Sequence, residues 1–243
     1  MKYKRILIKL SGEYLKGSQD FGIDFDAVLN ICQELKNVKE QLNIELAIVV
    51  GGGNIWRGRS NTYLDKCNSD KIGMLATEMN ALVLKDAFEQ LNVPTKIQSA
   101  IEMDRLVELY TKDKSINYLN NGNIVIFSGG TNNPYFSTDT ASSLRAAEIN
   151  ADLILKATNV DGVYDKDPHK YPDAKLYKEV SFQEVITNNL QVMDLTSMIM
   201  CQENNIPIIV FNNNNKGNIF KALEGSIGTS VKLETQKVSL NVN

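Results

Sequence analysis

A short apolar run that ends in three consecutive glycines constrains the fold of this chain more than any other feature. Residues 47–50 have the composition of a buried strand, and Gly51, Gly52 and Gly53 follow directly. Glycine has no Cβ, so this turn can take positive φ and its N–H groups can approach an anion closely. Arg57 follows shortly, and a guanidinium binds phosphate in bidentate fashion. Asn54 and Arg57 together favour a phosphate-binding turn over a merely tight strand-to-helix connection.

Strand patterns alternate with helical patterns along the whole chain. Buried-strand patterns occur at residues 3–10, 47–50, 93–98, 123–127, 151–157 and 206–211. Such alternation is typical of a mostly parallel sheet with helices on both faces and right-handed crossovers. No linker or internal repeat interrupts the 243 residues. The sequence therefore predicts an α/β fold, a three-layer α/β/α sandwich with a mostly parallel central sheet, formed as a single domain over residues 1–243.

Several element ends are predicted from capping residues. Ser69 is placed as the N-cap of a long helix that reaches Leu91, with Asp70 in its first turn. A later helix, over residues 139–150, is predicted to be capped by Ser137 or Thr138. Residues 229–233 have the pattern of an edge strand, and the last ten residues, from Glu234, are expected to be flexible.

Composition excludes several classes of function. The net charge of −3 and the absence of a basic stripe argue against nucleic acid as a partner. No apolar run reaches membrane-spanning length, and the first ten residues contain too few apolar positions for a signal sequence. Three widely spaced cysteines without metal-ligand spacing are expected to be reduced core thiols of a cytoplasmic protein. His169 is the single histidine, so histidine-based catalysis is not expected.

A second loop rich in hydrogen-bonding groups follows the strand pattern at residues 123–127. Residues 128–136 contain Thr131, Asn132 and Asn133, whose polar groups can bind the edge of a polar ring, and Pro134 stiffens the loop. The helix that follows directs its N-terminus at the same loop, where it favours negative charge. Lys9, at the end of the first strand, lies where α/β sheets place their ligand sites, although a solvated lysine is the commoner case.

Six motifs in order resemble one family. They are residues 9–12, 51–58, Asp70 with 73–77, 130–139, 156–167 and 192–195. Neither GxxxxGK[ST] nor GxGxxG occurs. Together the six motifs resemble the bacterial uridylate kinases of the amino acid kinase family, over nearly the whole chain. The resemblance implies transfer of the γ-phosphate of ATP to UMP, with a nucleoside monophosphate half at about 1–150 and an ATP-binding half at about 151–233.

The resemblance also implies residue roles. ATP would be bound by Lys9, Leu10, Ser11, Gly12, Gly53, Arg57, Thr158, Asn159, Tyr164 and Asp167. UMP would be bound by Gly52, Asp70, Thr131, Asn132, Asn133, Pro134, Tyr135, Phe136, Ser137 and Thr138. Lys9, Arg57, Asp139 and Asp194 would act at the reacting phosphates. Mg2+ would be carried by the ATP phosphates, UTP would inhibit, and the protein would be a homo-oligomer, a hexamer.

This chain departs from the family at three places. Asn132 replaces a common glycine, and asparagine is the side chain best tolerated at positive φ, so UMP binding is expected to survive. Asn159 replaces a common lysine beside the adenine pocket. The family's GTP site uses arginines that are absent at residues 111–114 and at Asn123, so GTP activation is expected to be weak or absent.

Phosphoryl transfer needs in-line positioning and neutralised oxygens more than covalent chemistry. Lys9 and Arg57, from opposite sides, together with Mg2+ would supply the charge, and Asp194 is expected to orient Lys9 by a charge-assisted hydrogen bond. Two alternatives remain. A carboxylate kinase of the same fold would not need the loop at residues 130–139, and a non-catalytic nucleotide sensor would not need two converging cations.

Overall fold

The structure is a computed structural model that describes residues 3–58 and 63–233. Its strands are β1 (Arg5–Leu10), β2 (Glu45–Val50), β3 (Thr95–Ser99), β4 (Glu108–Leu109), β5 (Ile124–Ser128), β6 (Leu153–Thr158), β7 (Glu179–Ser181), β8 (Ile208–Asn212) and β9 (Thr229–Lys232). Its helices are α1 (Phe25–Leu42), α2 (Lys66–Gln90), α3 (Lys112–Asn120), α4 (Thr138–Glu148), α5 (Phe182–Thr187), α6 (Leu195–Glu203) and α7 (Asn218–Glu224). A 3-10 helix, Gly12–Lys16, follows β1. The prediction for the tail from Glu234 falls outside the described residues.

The strands form one sheet in the order β4-β3-β5-β2-β1-β6-β8-β9-β7. Neighbouring strands are parallel except β8 and β9, which are antiparallel. Alternate residues of β1 enter two separate apolar clusters, because successive side chains of a strand point to opposite faces. Ile6 and Ile8 belong to one cluster and Leu7 to the other. Helices therefore cover both faces of the sheet, and the predicted α/β/α fold with a mostly parallel sheet is confirmed.

One predicted helix start and one predicted strand position are wrong. Helix α2 begins one turn earlier than expected, because Asp65 rather than Ser69 is its N-cap and accepts a hydrogen bond from the Asn68 N–H at 3.2 Å. Ser69 is buried inside the helix, and its hydroxyl accepts the Trp56 indole N–H at 3.0 Å. Strand β9 is not an edge strand, since it lies between β8 and β7.

The expectation of three core thiols holds for two of them. Cys32 and Cys201 are buried, whereas Cys67 is partly exposed near the start of α2. Among the described helices, none combines the length and the apolar character needed to cross a membrane.

The parallel strands β1, β2, β5 and β6 end at one edge of the sheet, and the predicted ligand-binding segments follow these ends. The 3-10 helix follows β1, the glycine turn follows β2, and the polar loop follows β5. Residues 158–167 follow from the end of β6, which pairs with β1. The carboxyl ends of parallel strands are where open α/β sheets bind ligands.

Candidate active site

The glycine turn needs glycine for space rather than for backbone conformation. None of Gly51, Gly52 and Gly53 has a positive φ, so that part of the expectation is wrong. A Cβ on Gly52 would lie 2.7 Å from the carbonyl oxygen of Gly73 and 2.8 Å from the Cβ of Ala76. The turn is therefore packed directly against α2, and its backbone can be approached from the open side.

Asn54 supports the turn from beneath and is not placed to bind phosphate. It is 2% exposed, and its amide exchanges two hydrogen bonds with Asn80 of α2, at 2.8 and 3.0 Å. Its Nδ2 also donates to the Gly22 carbonyl at 2.9 Å, and Asn80 Nδ2 donates to the Gly51 carbonyl at 2.7 Å. The sequence interpretation that counted Asn54 toward a phosphate site is corrected, because this amide fixes the shape of the turn.

Two lysines and one carboxylate form the charged centre of the site. Lys9 of β1 and Lys156 of β6 are paired in register on adjacent parallel strands, so their side chains lie side by side. Asp139, in the first turn of α4, lies between them: Lys9 Nζ is 3.2 Å from Oδ1 and Lys156 Nζ is 2.8 Å from Oδ2. Lys156 also donates to the Val192 carbonyl. Sequence reasoning quoted Lys156 in a motif but missed it as a site residue, although a lysine in an apolar strand was the available signal.

The pKa values of this centre follow from burial and charge. Burial alone would raise the pKa of Asp139, but the ammonium groups of Lys9 and Lys156 outweigh it and hold the pKa below its ordinary value. Burial lowers the pKa of Lys156, the nearby carboxylate opposes this, and the charge of Lys9 lowers it further. Within the described residues, Asp139 Oδ1 forms an ion pair but no aligned hydrogen bond. The centre is thus a mostly buried cluster of two lysines and Asp139, and the Asp194 carboxylate is close enough to raise the pKa of Lys156.

The expected contact between Asp194 and Lys9 is wrong, because Lys9 pairs with Asp139 instead. Asp194 is the N-cap of α6 and accepts the Ser197 N–H at 2.8 Å. Its other oxygen accepts the hydroxyls of Ser137 and of Thr140, the latter at 2.9 Å. Burial would raise the pKa of Asp194, but these hydrogen bonds keep it below its ordinary value. The carboxylate therefore joins α6 to the N-terminus of α4.

Arg57 is held at the surface beside the turn. Its Nε lies 3.1 Å from Glu13 Oε1 and 3.3 Å from the Gly53 carbonyl oxygen. Burial would raise the pKa of Glu13, but Arg57 and Lys16 outweigh it and lower that pKa. The Arg57 side chain is 60% exposed, so it is available to a ligand over the turn. Because Glu13 belongs to the 3-10 helix that follows β1, Arg57 contacts the segment next to the strand that carries Lys9.

A cavity of about 800 Å³ opens between the glycine turn, α2 and the loop after β5. Several predicted site residues line it: Gly52, Gly53, Asp70, Tyr135, Phe136, Ser137, Thr138 and Asp194. Trp56, Met74, Thr77, Thr140 and Thr196 line it as well, and sequence reasoning did not assign them to the site. Thr131, Asn132, Asn133 and Pro134 are not among its lining residues and form the outer turn of the loop. The cavity has the size of a small-ligand site.

The loop after β5 has an unusual backbone. Gly129, Gly130, Asn132 and Tyr135 have φ of +72°, +60°, +59° and +74°. Asn132 does take positive φ, the conformation in which asparagine is the side chain best tolerated in place of glycine. A bulky residue such as Tyr135 in this region is strained and must be held by its neighbours. Its N–H donates to Asp70 Oδ2 at 2.7 Å, and Lys66 pairs with the same carboxylate at 3.0 Å.

The residues predicted for the ATP nucleoside lie at the end of β6 and in the loop after it, and their hydrogen bonds go to residues outside this set. Thr158 donates through Oγ1 to the Val160 carbonyl at 2.8 Å, and its own carbonyl accepts the Tyr14 hydroxyl. Asp167 accepts the His169 N–H at 3.0 Å. Asn159 and Tyr164 lie on the same loop, and none of these residues lines the cavity. The loop lies beside the segment after β1 because β1 and β6 are neighbours.

The charged side chains of the site do not form a resident metal site. Asp139 is engaged by two ammonium groups and Asp194 by hydroxyl and N–H donors. Across residues 3–58 and 63–233, no group of three or more histidine, cysteine, aspartate or glutamate side chains is arranged to hold a metal ion. With these carboxylates engaged elsewhere, a Mg2+ ion at this site would take phosphate oxygens and water as its ligands.

Comparisons with known proteins all point to kinases of one family. The profile of the amino acid kinase family matches residues 4–212. The UMP kinase from Ureaplasma parvum is 38% identical in sequence, with a TM-score of 0.90 over 96% of this chain and 100% of that chain. The UMP kinase from Bacillus anthracis is 34% identical, with a TM-score of 0.91 over 96% of this chain and 97% of that one.

Replacing Asn80 with alanine tests the support of the glycine turn. The change leaves the buried Gly51 carbonyl and the Asn54 amide short of partners, so we expect the free energy of unfolding to fall by about 1–3 kcal/mol. Urea denaturation measures it. Asn37→Ala, on the exposed face of α1, is the control and should change stability little. Equal stabilities of Asn80→Ala and the unchanged protein would contradict the assignment.

Replacing Asp139 with asparagine tests the charged centre. Two mostly buried ammonium groups lose the carboxylate between them, so we expect the free energy of unfolding to fall by about 3–5 kcal/mol at neutral pH. Because the pKa of Asp139 is below its ordinary value of 3.8, its stabilisation is present above pH 3.8 and is lost as the pH falls through the folded-state pKa. The stability difference should therefore shrink below pH 3.8.

Asp173→Asn is the matched control for that experiment. Asp173 also pairs with a lysine, Lys166, but its side chain is 78% exposed. Exposed ion pairs contribute about 0–1 kcal/mol, so this variant should remain close to the unchanged protein. Comparable losses in the two variants would contradict a special role for the buried centre.

Proposed function

The chain belongs to the amino acid kinase family, and on that premise we propose that it transfers the γ-phosphate of ATP to UMP, giving UDP and ADP. The observation that carries the proposal is the cavity that joins the glycine turn to the loop after β5. It offers a phosphate-sized backbone turn at one end and a polar, aromatic loop at the other. The likeness to two solved UMP kinases over 96% of the chain supports UMP as the acceptor.

We assign the cavity to the acceptor nucleotide. Gly52 would donate its N–H to the UMP phosphate, and the residues from Thr131 to Thr138 would contact uracil and close over it. Asp70 would bind the ribose hydroxyls after exchanging its contact with the Tyr135 N–H. A carboxylate is an apt partner here because it accepts two hydrogen bonds from a diol.

The ATP phosphates would lie over the ends of β1 and β6, at Lys9, Leu10, Ser11 and Gly12. Gly53 and Arg57 would meet the transferred group, and Thr158, Asn159, Tyr164 and Asp167 would surround the adenosine. Under this assignment, residues of about 1–150 form the acceptor half and those of about 151–233 the ATP half. Lys156 joins the proposed set because it shares Asp139 with Lys9.

The proposed chemistry is electrostatic. The UMP phosphate is already an anionic nucleophile, so no protein base is needed and the exposed His169 has no part in it. Lys9 and Lys156 would stabilise negative charge that moves toward the leaving ADP, and Arg57 would hold the transferred group from the other side. Mg2+, when bound with ATP, supplies further neutralisation of the phosphate oxygens. Asp139 and Asp194 keep the lysines and α4 in place.

Further properties are proposed from the family resemblance. They are a homohexameric assembly, a cytoplasmic location, inhibition by UTP and a role in pyrimidine nucleotide synthesis. Neither nucleic acid nor a membrane is a proposed partner.

An ADP-release assay with UMP, CMP and dTMP as acceptors tests the proposal, and we expect turnover with UMP. Lys9→Ala and Arg57→Ala should each lower kcat by a factor of about 30–10³, equivalent to about 2–4 kcal/mol, the usual cost of losing one preorganised donor. Lys4→Ala is the control, since Lys4 lies just before β1 and is 79% exposed. A folded protein that releases no ADP with UMP would refute the proposal.

GTP is expected not to raise the rate at subsaturating ATP. The side chains at the relevant place are already engaged, since Lys114 pairs with Glu108 at 2.7 Å and Asn123 donates to the Tyr118 carbonyl at 3.1 Å. A GTP titration in the same ADP-release assay measures the effect, and a UTP titration, expected to inhibit, shows that the assay responds to regulators. A several-fold rise with GTP would overturn this expectation.

A further inference from the structure

A buried carboxyl group that the proposed transfer does not use lies beneath the loop after β5. Glu78, on α2, is 4% exposed. The Ser128 hydroxyl donates to its Oε2 at 2.7 Å, and the Ser99 hydroxyl donates to its Oε1. Burial raises the pKa of Glu78, and the two serine hydroxyls partly offset this. A carboxyl group held in so unfavourable a place needs a structural reason.

Its two partners stand at the ends of neighbouring strands. Ser99 of β3 and Ser128 of β5 are paired in register, and the Ala100 N–H donates to the Ser128 carbonyl at 3.0 Å. Glu78 therefore joins both strand ends to α2. The adjacent Thr77 extends the connection by one residue, because its Oγ1 accepts the Gly129 N–H at 2.8 Å.

The carboxyl group also contacts the first residue of the loop. A Cβ on Gly129 would lie 3.0 Å from Glu78 Oε1, so the carboxylate packs closely against the Gly129 backbone. Four loop residues between 129 and 135 have positive φ, a path that the surroundings must hold in place. The far end of the loop is held by exposed or half-exposed groups, Asp70 at Tyr135 and Asp194 at Ser137. Glu78 is the fully buried support at its base.

We propose that Glu78 is a positioning residue for the acceptor nucleotide, which sets where the loop at residues 129–136 begins and so where its base-contacting groups stand. This inference rests on the proposed function, in which that loop binds UMP. Glu78 is not among the residues that line the cavity, so it would not touch the bound nucleotide. Its effect is therefore selective for one of the two substrates.

Steady-state kinetics with each substrate varied in turn test the role. Glu78→Ala should raise the KM for UMP about tenfold or more, since displacing a binding loop by about 1 Å is costly, and should leave the KM for ATP within about twofold. Glu78→Gln keeps the shape and one acceptor, and its NH₂ can donate to a serine hydroxyl. Its KM for UMP should therefore lie between those of the unchanged protein and Glu78→Ala. A purely structural role would change both KM values together.

Glu34→Ala is the matched control. Glu34 is a half-buried carboxylate whose pKa is also raised by burial, and its Oε1 accepts the N–H groups of Gly217 and Ile219 at 3.0 and 3.2 Å. It supports the start of α7, away from the loop after β5. Loss of stability without a change in the KM for UMP is expected for this variant.

Three outcomes overturn the inference: an unchanged KM for UMP in folded Glu78→Ala, an equal rise of both KM values, or a rise in the KM for UMP in Glu34→Ala. If Glu78→Ala does not fold, Ser128→Ala decides, because it removes a single hydrogen bond and must raise the KM for UMP selectively. Failure of the unchanged protein to convert UMP refutes the proposed function instead. UMP titration calorimetry on the same variants then decides the positioning role.

Discussion

The charged end of the site depends on one carboxylate between two lysines. Lys9 and Lys156 are in register on adjacent strands, so the sheet itself forces two ammonium groups together in a nearly buried place. Asp139 compensates the charge of both ammonium groups, and it belongs to helix α4 rather than to the sheet. The Ser137 cap fixes the start of α4, and Asp194 holds that cap from α6. The position of a charge at the sheet edge is therefore decided by the packing of two helices.

Helix α2 provides a common support for both ends of the cavity. Gly52 packs against Gly73 of this helix, and Asn80 holds the Gly51 carbonyl. One turn away, Thr77 and Glu78 hold the start of the loop after β5. The two ligand-binding segments lie far apart in the sequence, yet their separation in space is set by a single rigid element. A long helix suits this task because its successive turns face neighbouring strand ends.

The sequence predicted the layers and the parallel sheet, because hydrophobic periodicity is a local signal. It did not predict which side chains would meet. Asp194 was assigned to Lys9, but Asp139 takes that place, since the choice depends on helix packing. Asn54 was counted in favour of a phosphate-binding turn, but its side chain is bonded to Asn80, 26 residues away. Lys156 was missed although its place in an apolar strand was a signal, and Glu78 was missed because only tertiary contacts show that its carboxyl group is buried.

The two lysines and Arg57 differ in how far neighbouring carboxylates neutralise their charge. Asp139 pairs with both ammonium groups, and burial together with the charge of Lys9 lowers the pKa of Lys156 by more than Asp139 and Asp194 raise it. A buried ammonium group is costly unless anions compensate it. A bound phosphate would therefore stabilise the two lysines as well as be stabilised by them. Arg57 differs, because Glu13 already neutralises it at the exposed surface. Under the proposed function, the lysines would be preorganised by the fold, whereas Arg57 would have to exchange Glu13 for a phosphate before it could act.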